Sequence, residues 1–388
     1  MKKRYEYIDA LRGFAVFGVF VVHVFNPIIG KMSKFWAHFA ANGARGVQLF
    51  FIISALTLFM SLDRRSDEHN KTLNFFIRRF FRIAPLFYLA IVAYLFMNGM
   101  GPRYWLGDAP RITTWNIAAT ALFINGWYPY WINSVIGINW TIAVEASFYL
   151  LVPFLFLKIK NLANAILVFL LSVISMQFIN AYLSSHSLVS NNELWQNFLF
   201  LWLPAQFPVF MMGIILFHLI YGKKEGLFTT KTQLNVLFFL FFFLTVELLY
   251  FDQLPAINGY AVAYALLIFV LASHPFKLFV NSFWIYLGKI SYSAYLIHFA
   301  VIDFAVKLQS SLNLGFKLHI YQRYLVVLVL TVVITMIISS ITYVLVEKPG
   351  IVLGKKIINY LEKKGKINFN FFNLFLKNKL KKVDTESW

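Results

Sequence analysis

Long apolar runs constrain the fold of this chain more than any other feature. Ten of them approach or reach the roughly 20 residues that a helix needs to cross a bilayer. Backbone groups in hydrocarbon must be hydrogen-bonded within their own segment, so such runs form helices. They are 8–29, 44–62, 83–98, 142–158, 163–181, 201–221, 235–251, 257–274, 284–306 and 323–346. The sequence therefore predicts an all-α, polytopic transmembrane helical bundle of about ten spanning helices.

Composition supports a membrane protein and excludes several functions. Of 388 residues, 60% are hydrophobic and 13% are charged, whereas soluble domains average about 45–50% apolar and about 25% charged residues. A net charge of +19 would suggest nucleic acid in a soluble protein. Here the lysines and arginines sit in short loops between apolar runs, so they indicate topology signals and contact with membrane lipid, and no nucleic-acid partner. The absence of cysteine excludes disulfides and thiolate nucleophiles.

The basic loops predict the orientation of the chain. With ten spans, the N-terminus, the loop 63–82 and the lysine-rich tail all fall on one side, which the positive-inside rule makes cytoplasmic. Both termini are then cytoplasmic in a bacterial-type inner membrane, and the loop 99–141 lies outside. Within that loop, the apolar stretch 114–126 is too short to cross, so we predict a re-entrant or interfacial segment.

Ionisable residues inside spans are costly and mark function or paired contacts. Arg12 and His23 are eleven residues apart, so they share one helical face about 16 Å apart along the axis. Glu145 lies near the outer end of the fourth span, at the depth expected for His23, where a carboxylate would orient a general base. The competing interpretations are a snorkelling Arg12, a core His23, and a Glu145 paired with Arg45 or Arg111.

Two further groups are candidates on the same grounds. His298 follows the hydroxyl-rich stretch 291–297, which either lines a cavity or bonds across helices. Arg78, Arg79 and Arg82 enter the third span from the cytoplasmic side. They are either plain positive-inside residues or an anion site, because arginine binds phosphate in bidentate fashion.

Six stretches carry a resemblance to a known family. They are YIDALRG at 7–13 with His23 downstream, GVQLFFIIS at 46–54, FIRRFFRIAP at 76–85, WTIAVEASFY at 140–149, LGKISYSAYLIH at 287–298 and VEKP at 346–349. In this order they resemble the acyltransferase-3 family of integral membrane acyltransferases, over about residues 5–350. The sequence looks like the stand-alone type, without a fused extracytoplasmic hydrolase-like domain. Ala55 and Thr141 depart mildly, since the family usually has glycine and serine there.

The resemblance implies transfer of an acyl group, usually acetyl, from cytoplasmic acyl-CoA to a hydroxyl of a carbohydrate at or beyond the outer face, with no metal. It also implies that Arg12 and His23 are essential. We hypothesise that His23, oriented by Glu145, deprotonates the acceptor while Arg12 stabilises the donor or the oxyanion. The residues assigned to acyl-CoA are Arg78, Arg79 and Arg82, and those assigned to substrate are Ser54, Trp140, Ser291, Tyr292 and His298.

Two questions stay open in the sequence. A proton- or solute-coupled transporter would also need intramembrane arginine, histidine and glutamate. If the protein is an acyltransferase, transfer could be direct or pass through an acyl-enzyme.

The sequence also predicts a division into two parts. We expect residues 1–350 to form the transmembrane acyltransferase domain and 351–388 a basic cytoplasmic tail that lies on the membrane as an interfacial helix.

Overall fold

The computed structural model describes residues 5–28, 43–102, 106–222, 255–273, 277–311 and 318–364, with the single residues 33, 36, 40 and 275. Every regular element in these ranges is helical, which confirms the predicted all-α class. The α-helices are α1 (Glu6–Phe25), α2 (Gly46–Asp63), α3 (Lys71–Asn98), α4 (Thr114–Ala121), α5 (Asn139–Lys158), α6 (Leu162–Ser185), α7 (Asn192–Leu201), α8 (Leu203–Tyr221), α9 (Pro255–Ser273), α10 (Ser282–Lys289), α11 (Ser291–Ser311), α12 (Ile320–Thr342) and α13 (Lys348–Lys364).

Several of these helices are long and apolar enough to cross a membrane. The described ranges contain seven such helices, or eight if α10 and α11, bent by 81°, form one broken span. The predicted span 235–251 lies outside the described residues, and the span predicted at 257–274 corresponds to α9, whose apolar part Gly259–Phe269 is short. The chain is therefore an integral membrane protein, while the count of ten is not confirmed.

The segment 114–126 does not form a span. It contains the eight-residue helix α4, which is too short to cross. Side chains satisfy the irregular backbone around it, since Asn116 donates to the Tyr130 carbonyl at 2.9 Å and Asn125 donates to the Ile132 carbonyl at 3.1 Å. Non-helical backbone at membrane depth needs this kind of internal partner.

Glycines bring α1 and α10 into backbone contact. A Cβ on Gly288 would overlap the carbonyl of Asp9, and one on Gly13 would overlap the carbonyl of Trp284. Small residues at helix crossings are the usual means of close packing in membrane bundles. The contact fixes the turn that carries Asp9 and Arg12 against the start of the α10–α11 pair.

The end of the described chain packs on α3. Pro85 has no N–H to offer the Phe81 carbonyl, and Gly350 and Gly354 of α13 lie against Phe81. A hydrogen bond of 2.6 Å from Asn74 to Glu362, also on α13, closes the same contact near the start of α3. Part of the predicted tail, 351–364, is thus a helix against the bundle, and 365–388 lie outside the described residues.

A π-helical segment, Tyr343–Glu347, joins α12 to α13. Such single-turn bulges re-aim side chains and are frequent at functional sites. Here the bulge turns Glu347 inward, where only 3% of its surface is exposed.

Candidate functional site

A cavity of about 90 Å³ lies between α1, α2, α3, α5 and α11, and we call it the arginine cavity. Its polar lining consists of Arg12, Ser54, Thr57, Arg79, Arg82, Thr141, Glu145, Tyr149, Ser291, Tyr292 and Tyr295. Seven of the eleven residues that the sequence nominated meet here, from five separate helices: Arg12, Ser54, Arg79, Arg82, Glu145, Ser291 and Tyr292.

Arg12 is held in the cavity wall by two neighbours. Its Nη1 lies 3.8 Å from Asp9 Oδ1 one turn earlier on α1. Its Nη2 donates to Thr57 Oγ1 on α2 at 3.3 Å. The positive charge is therefore paired inside the bundle, unlike that of a snorkelling anchor, which extends its head group to the interface.

The three arginines of α3 have different surroundings. Arg78 is not in the cavity, because its guanidinium donates to both carboxylate oxygens of Glu68 in the preceding loop, at 3.0 and 2.9 Å. Arg79 lines the cavity and lies over the ring of Tyr149, 6.0 Å from its centroid. Arg82 lines it as well. The structure therefore separates Arg78 from the other two.

The carboxylate that acts most strongly on Arg82 comes from the far end of the chain. Glu347, turned inward by the π-helical segment, is the carboxylate with the strongest electrostatic effect on Arg82. Its Oε2 accepts a hydrogen bond of 3.0 Å from Ser293 on α11. This contact links α3, α11 and the end of α12 around the cavity.

Glu145 belongs to the arginine cavity and not to the neighbourhood of His23. The Ser54 hydroxyl donates a hydrogen bond to Glu145 Oε1, and the carboxylate acts electrostatically on Arg12, Arg79 and Arg82. The structure therefore does not support the predicted pairing of Glu145 with His23. Equal depth along two helices says nothing about whether the two side chains face each other.

His23 faces another histidine. Its ring centroid lies 5.3 Å from that of His298, and Phe299 packs on both rings. His298 is fully buried, with Nδ1 2.6 Å from the carbonyl oxygen of Tyr295. His298 Nε2 and His23 Nδ1 are buried and find no hydrogen-bond partner among the described residues. We call His23 and His298 the histidine pair.

Helix α11 connects the two groups. Ser291, Tyr292 and Tyr295 line the arginine cavity, and His298 lies one turn beyond Tyr295. The Tyr295 hydroxyl accepts a hydrogen bond from Thr141 at 3.0 Å, which closes this end of the cavity. Trp140, by contrast, does not line the cavity and packs edge-on against Phe51, which does.

Sequence reasoning missed five lining or supporting residues: Thr57, Thr141, Tyr149, Tyr295 and Glu347. Tyr149, Tyr295 and Glu347 occur in the stretches that carried the resemblance, and Glu347 is an acid at the end of a span, so a signal existed for them. Nothing in the spacing of residues points to Thr57. Over the described ranges, no three His, Asp or Glu side chains gather as metal ligands would.

Comparison with known proteins identifies the family of the chain. The acyltransferase-3 family model, an acyltransferase domain, matches residues 5–344, so the chain belongs to this family of acyltransferases. The candidate O-acetyltransferase SACOL0978 of Staphylococcus aureus (strain COL) is 26% identical over 398 residues, covering 92% of this chain and 59% of the relative. The O-acetyltransferase OatA of Staphylococcus aureus (strain NCTC 8325 / PS 47) is 25% identical over 391 residues, with the same two coverages, 92% and 59%.

The match to a viral relative covers less of this chain and more of the relative than the staphylococcal matches do. The candidate acetyltransferase ORF330 of Acidianus two-tailed virus is 26% identical over 303 residues, which is 77% of this chain and 84% of the relative. The chain thus spans about three fifths of the length of the staphylococcal relatives. No solved structure matches the chain.

Proposed function

We propose that this membrane acyltransferase moves an acyl group, in the first place acetyl, from acyl-CoA at the cytoplasmic face to a hydroxyl of an extracytoplasmic carbohydrate. The observation that carries the proposal is the arginine cavity, with Arg12, Arg79, Arg82 and Glu145 inside a bundle of spanning helices. Charges at such positions are costly and are retained for function or pairing. The names of the staphylococcal relatives support O-acetyl transfer.

The donor end of the reaction fits the arginines. Acyl-CoA is an anion, and guanidinium groups bind phosphate in a bidentate, charge-assisted way. The cavity, at about 90 Å³, is smaller than the roughly 300–1,000 Å³ of pockets that enclose whole drug-sized ligands. It suits the narrow arm that carries the thioester, with the phosphates at the cytoplasmic side of Arg79 and Arg82 and the thioester itself extending to His23. Arg12 lines this route and is available to donate hydrogen bonds to the arm of the donor.

The transfer end fits the histidine pair. From Ser291 to His298 the axis of α11 rises by about 10 Å, so this helix leads from the cavity to His23. His23 removes the proton of the acceptor hydroxyl as its oxygen bonds to the acyl carbon. The carbon–sulfur bond breaks, and the departing thiolate takes the proton from His23. Family membership favours this account over a transporter.

The donor half is tested by calorimetric titration of the purified protein with CoA in lipid nanodiscs. A lost charge-assisted hydrogen bond costs about 1.5–3 kcal/mol, so Arg79→Gln and Arg82→Gln should each weaken CoA binding about tenfold or more. Arg78→Gln is the matched control, on the same helix but outside the cavity, and should change affinity by less than about twofold. Unchanged affinity in all three variants would reduce these arginines to topology signals.

The acceptor half is tested in cells. We expect radiolabelled acetyl groups to appear in surface polysaccharide of cells that produce the protein and to be absent from cells that produce the His23→Gln variant. Transfer to protein or to lipid alone, with unlabelled polysaccharide, would contradict the carbohydrate assignment and leave the donor assignment intact.

A further inference from the structure

The turn of α11 that carries His298 is fixed from outside by a tyrosine. The hydroxyl of Tyr94 on α3 donates to the carbonyl of Leu296 at 3.0 Å and accepts from the N–H of Ala300 at 3.3 Å. These two backbone groups are four residues apart and enclose His298, so the hydroxyl stands within the hydrogen-bond ladder of that turn. The position of the His298 side chain is thereby set by α3 as well as by its own helix.

The turn of α1 that carries His23 is fixed in a parallel way. The hydroxyl of Tyr324 on α12 donates to the carbonyl of Val21 at 3.0 Å. Val21 precedes His23 by two residues, as Leu296 precedes His298. Both imidazoles therefore project from turns whose backbones are tied to neighbouring helices, which is what a fixed reacting geometry requires.

The tautomer of His298 follows from the contact of its Nδ1 atom with the backbone. A carbonyl oxygen can only accept, so the Nδ1 atom that lies 2.6 Å from the Tyr295 carbonyl must carry the hydrogen. Neutral imidazole then leaves Nε2 as a bare acceptor. That atom is buried and has no partner among the described residues, and the nearby ring with a free nitrogen is that of His23.

We propose that His298 is a positioning residue for His23, in the role that the sequence suggested for Glu145. The inference rests on the proposed function. When His23 takes the proton of the acceptor hydroxyl, both of its nitrogens become donors, and His298 Nε2 accepts from one of them. The other nitrogen returns the proton to the departing thiolate. His298 itself is neither protonated nor consumed, so the step balances with the two substrates alone.

A neutral partner differs from a carboxylate in its effect on the resting state. A carboxylate buried beside His23 would favour the charged imidazolium and raise the fraction of His23 that already carries a second proton before the acceptor arrives. A neutral imidazole adds no such charge, and its lone pair accepts a hydrogen bond from His23 once His23 has taken the proton. Glu145 is hydrogen-bonded to Ser54 in the arginine cavity, which keeps its negative charge away from this end.

Three substitutions at one position separate this role from a structural one. His298→Gln keeps an acceptor near the position of Nε2, His298→Asn keeps a donor near the position of Nδ1, and His298→Leu keeps neither. We expect the Gln variant to transfer acetyl at least about tenfold faster than the Asn and Leu variants, with CoA affinity within about twofold in all three. The opposite order, with Asn retaining the most activity, would show that only the tie to Tyr295 matters and would overturn the proposal.

A second measurement does not need acyl transfer. Nitrogen-15 solid-state NMR of histidine-labelled full-length protein in bilayers reports the tautomer of each ring, with His298 assigned by its loss in His298→Gln. We expect the Nδ1–H tautomer for His298 and a change in the His23 ring signals in His298→Leu that is smaller in His298→Gln. An Nε2–H tautomer, or His23 signals unaffected by His298→Leu, would overturn the proposal even if the protein proves to transfer acetyl. A wild-type protein with these signals but no transfer would instead refute the proposed function.

Discussion

The arginine cavity and the histidine pair lie along the same helix, α11, and treat polar groups in opposite ways. In the cavity, charges meet fixed partners, as Arg12 does with Asp9 and Glu145 does with Ser54. In the pair, two imidazole nitrogens are buried among aromatic rings and have no hydrogen-bond partner among the described residues. A site that holds an anion needs its cations permanently in place, whereas a proton acceptor must stay uncommitted until the substrate arrives.

The largest expected effect is in the labelling of single cysteines, which should occur from one side of the membrane and not from the other. If the arginine cavity faces the cytoplasm, a cysteine at Ser66, in the loop before α3, is labelled only from inside. A cysteine at Ser187, in the exposed turn after α6, is labelled only from outside. The chain has no cysteine of its own, so the background is clean. External labelling at Ser66 in intact cells would show that the arginine cavity opens to the outside, where a cytoplasmic donor could not reach it.

The next largest effect separates chemistry from donor binding. His23→Gln removes the proposed general base, so transfer of labelled acetyl should fall by roughly 10²–10⁴-fold. Affinity for CoA should change by less than about twofold, because His23 does not line the arginine cavity. Turnover close to that of the wild type would return His23 to the role of a core histidine.

Substitutions at Arg12 and Asp9 separate the effect of the Arg12 charge on acyl transfer from the effect of the Arg12–Asp9 ion pair on stability. Arg12→Gln should reduce transfer by roughly 10–10²-fold if the guanidinium holds the arm of the donor, since a charge-assisted hydrogen bond contributes about 1.5–3 kcal/mol. It should also lower stability, because Asp9 loses the guanidinium as a buried partner. The double variant Arg12→Gln, Asp9→Asn should recover stability without recovering transfer. Recovery of both, measured by thermal unfolding and acetyl transfer in the same detergent, would assign Arg12 a purely structural role.

The smallest expected effect tests the close contact that positions the cavity. Gly288→Ala places a methyl group against the Asp9 carbonyl, and overpacking of this kind costs about 1–3 kcal/mol. CoA affinity should fall with stability, since Arg12 shares the displaced turn, while the ring signals of His23 should not change. Gly101→Ala is the control, because no atom lies within 4 Å of its Cβ position. Equal unfolding of both variants would show that the α1–α10 contact is not tight.

Two neighbouring arginines show where sequence reasoning stops. Arg78 and Arg79 have the same charge, the same helix and the same predicted role, yet one binds Glu68 and the other lines the cavity. Successive residues point about 100° apart around a helix, so they face different neighbours. The sequence gives that angle but not the identity of the neighbours. Glu145 and His23 illustrate the same limit, because their similar depth did not bring them together.

The properties that could be predicted without the structure are local to each segment of the chain. Hydrophobic length is a property of a run of residues and determines that these runs are membrane helices, and a charged residue within such a run is a candidate for function whatever surrounds it. Pairing is not local. The partners appear only in the folded chain, where Glu347, from the π-helical segment after α12, acts on Arg82 and where the ring centroids of His23 and His298 lie 5.3 Å apart. The physical reason is that ion pairs and hydrogen bonds act over a few ångströms, so partners depend on how helices far apart in sequence rotate and cross.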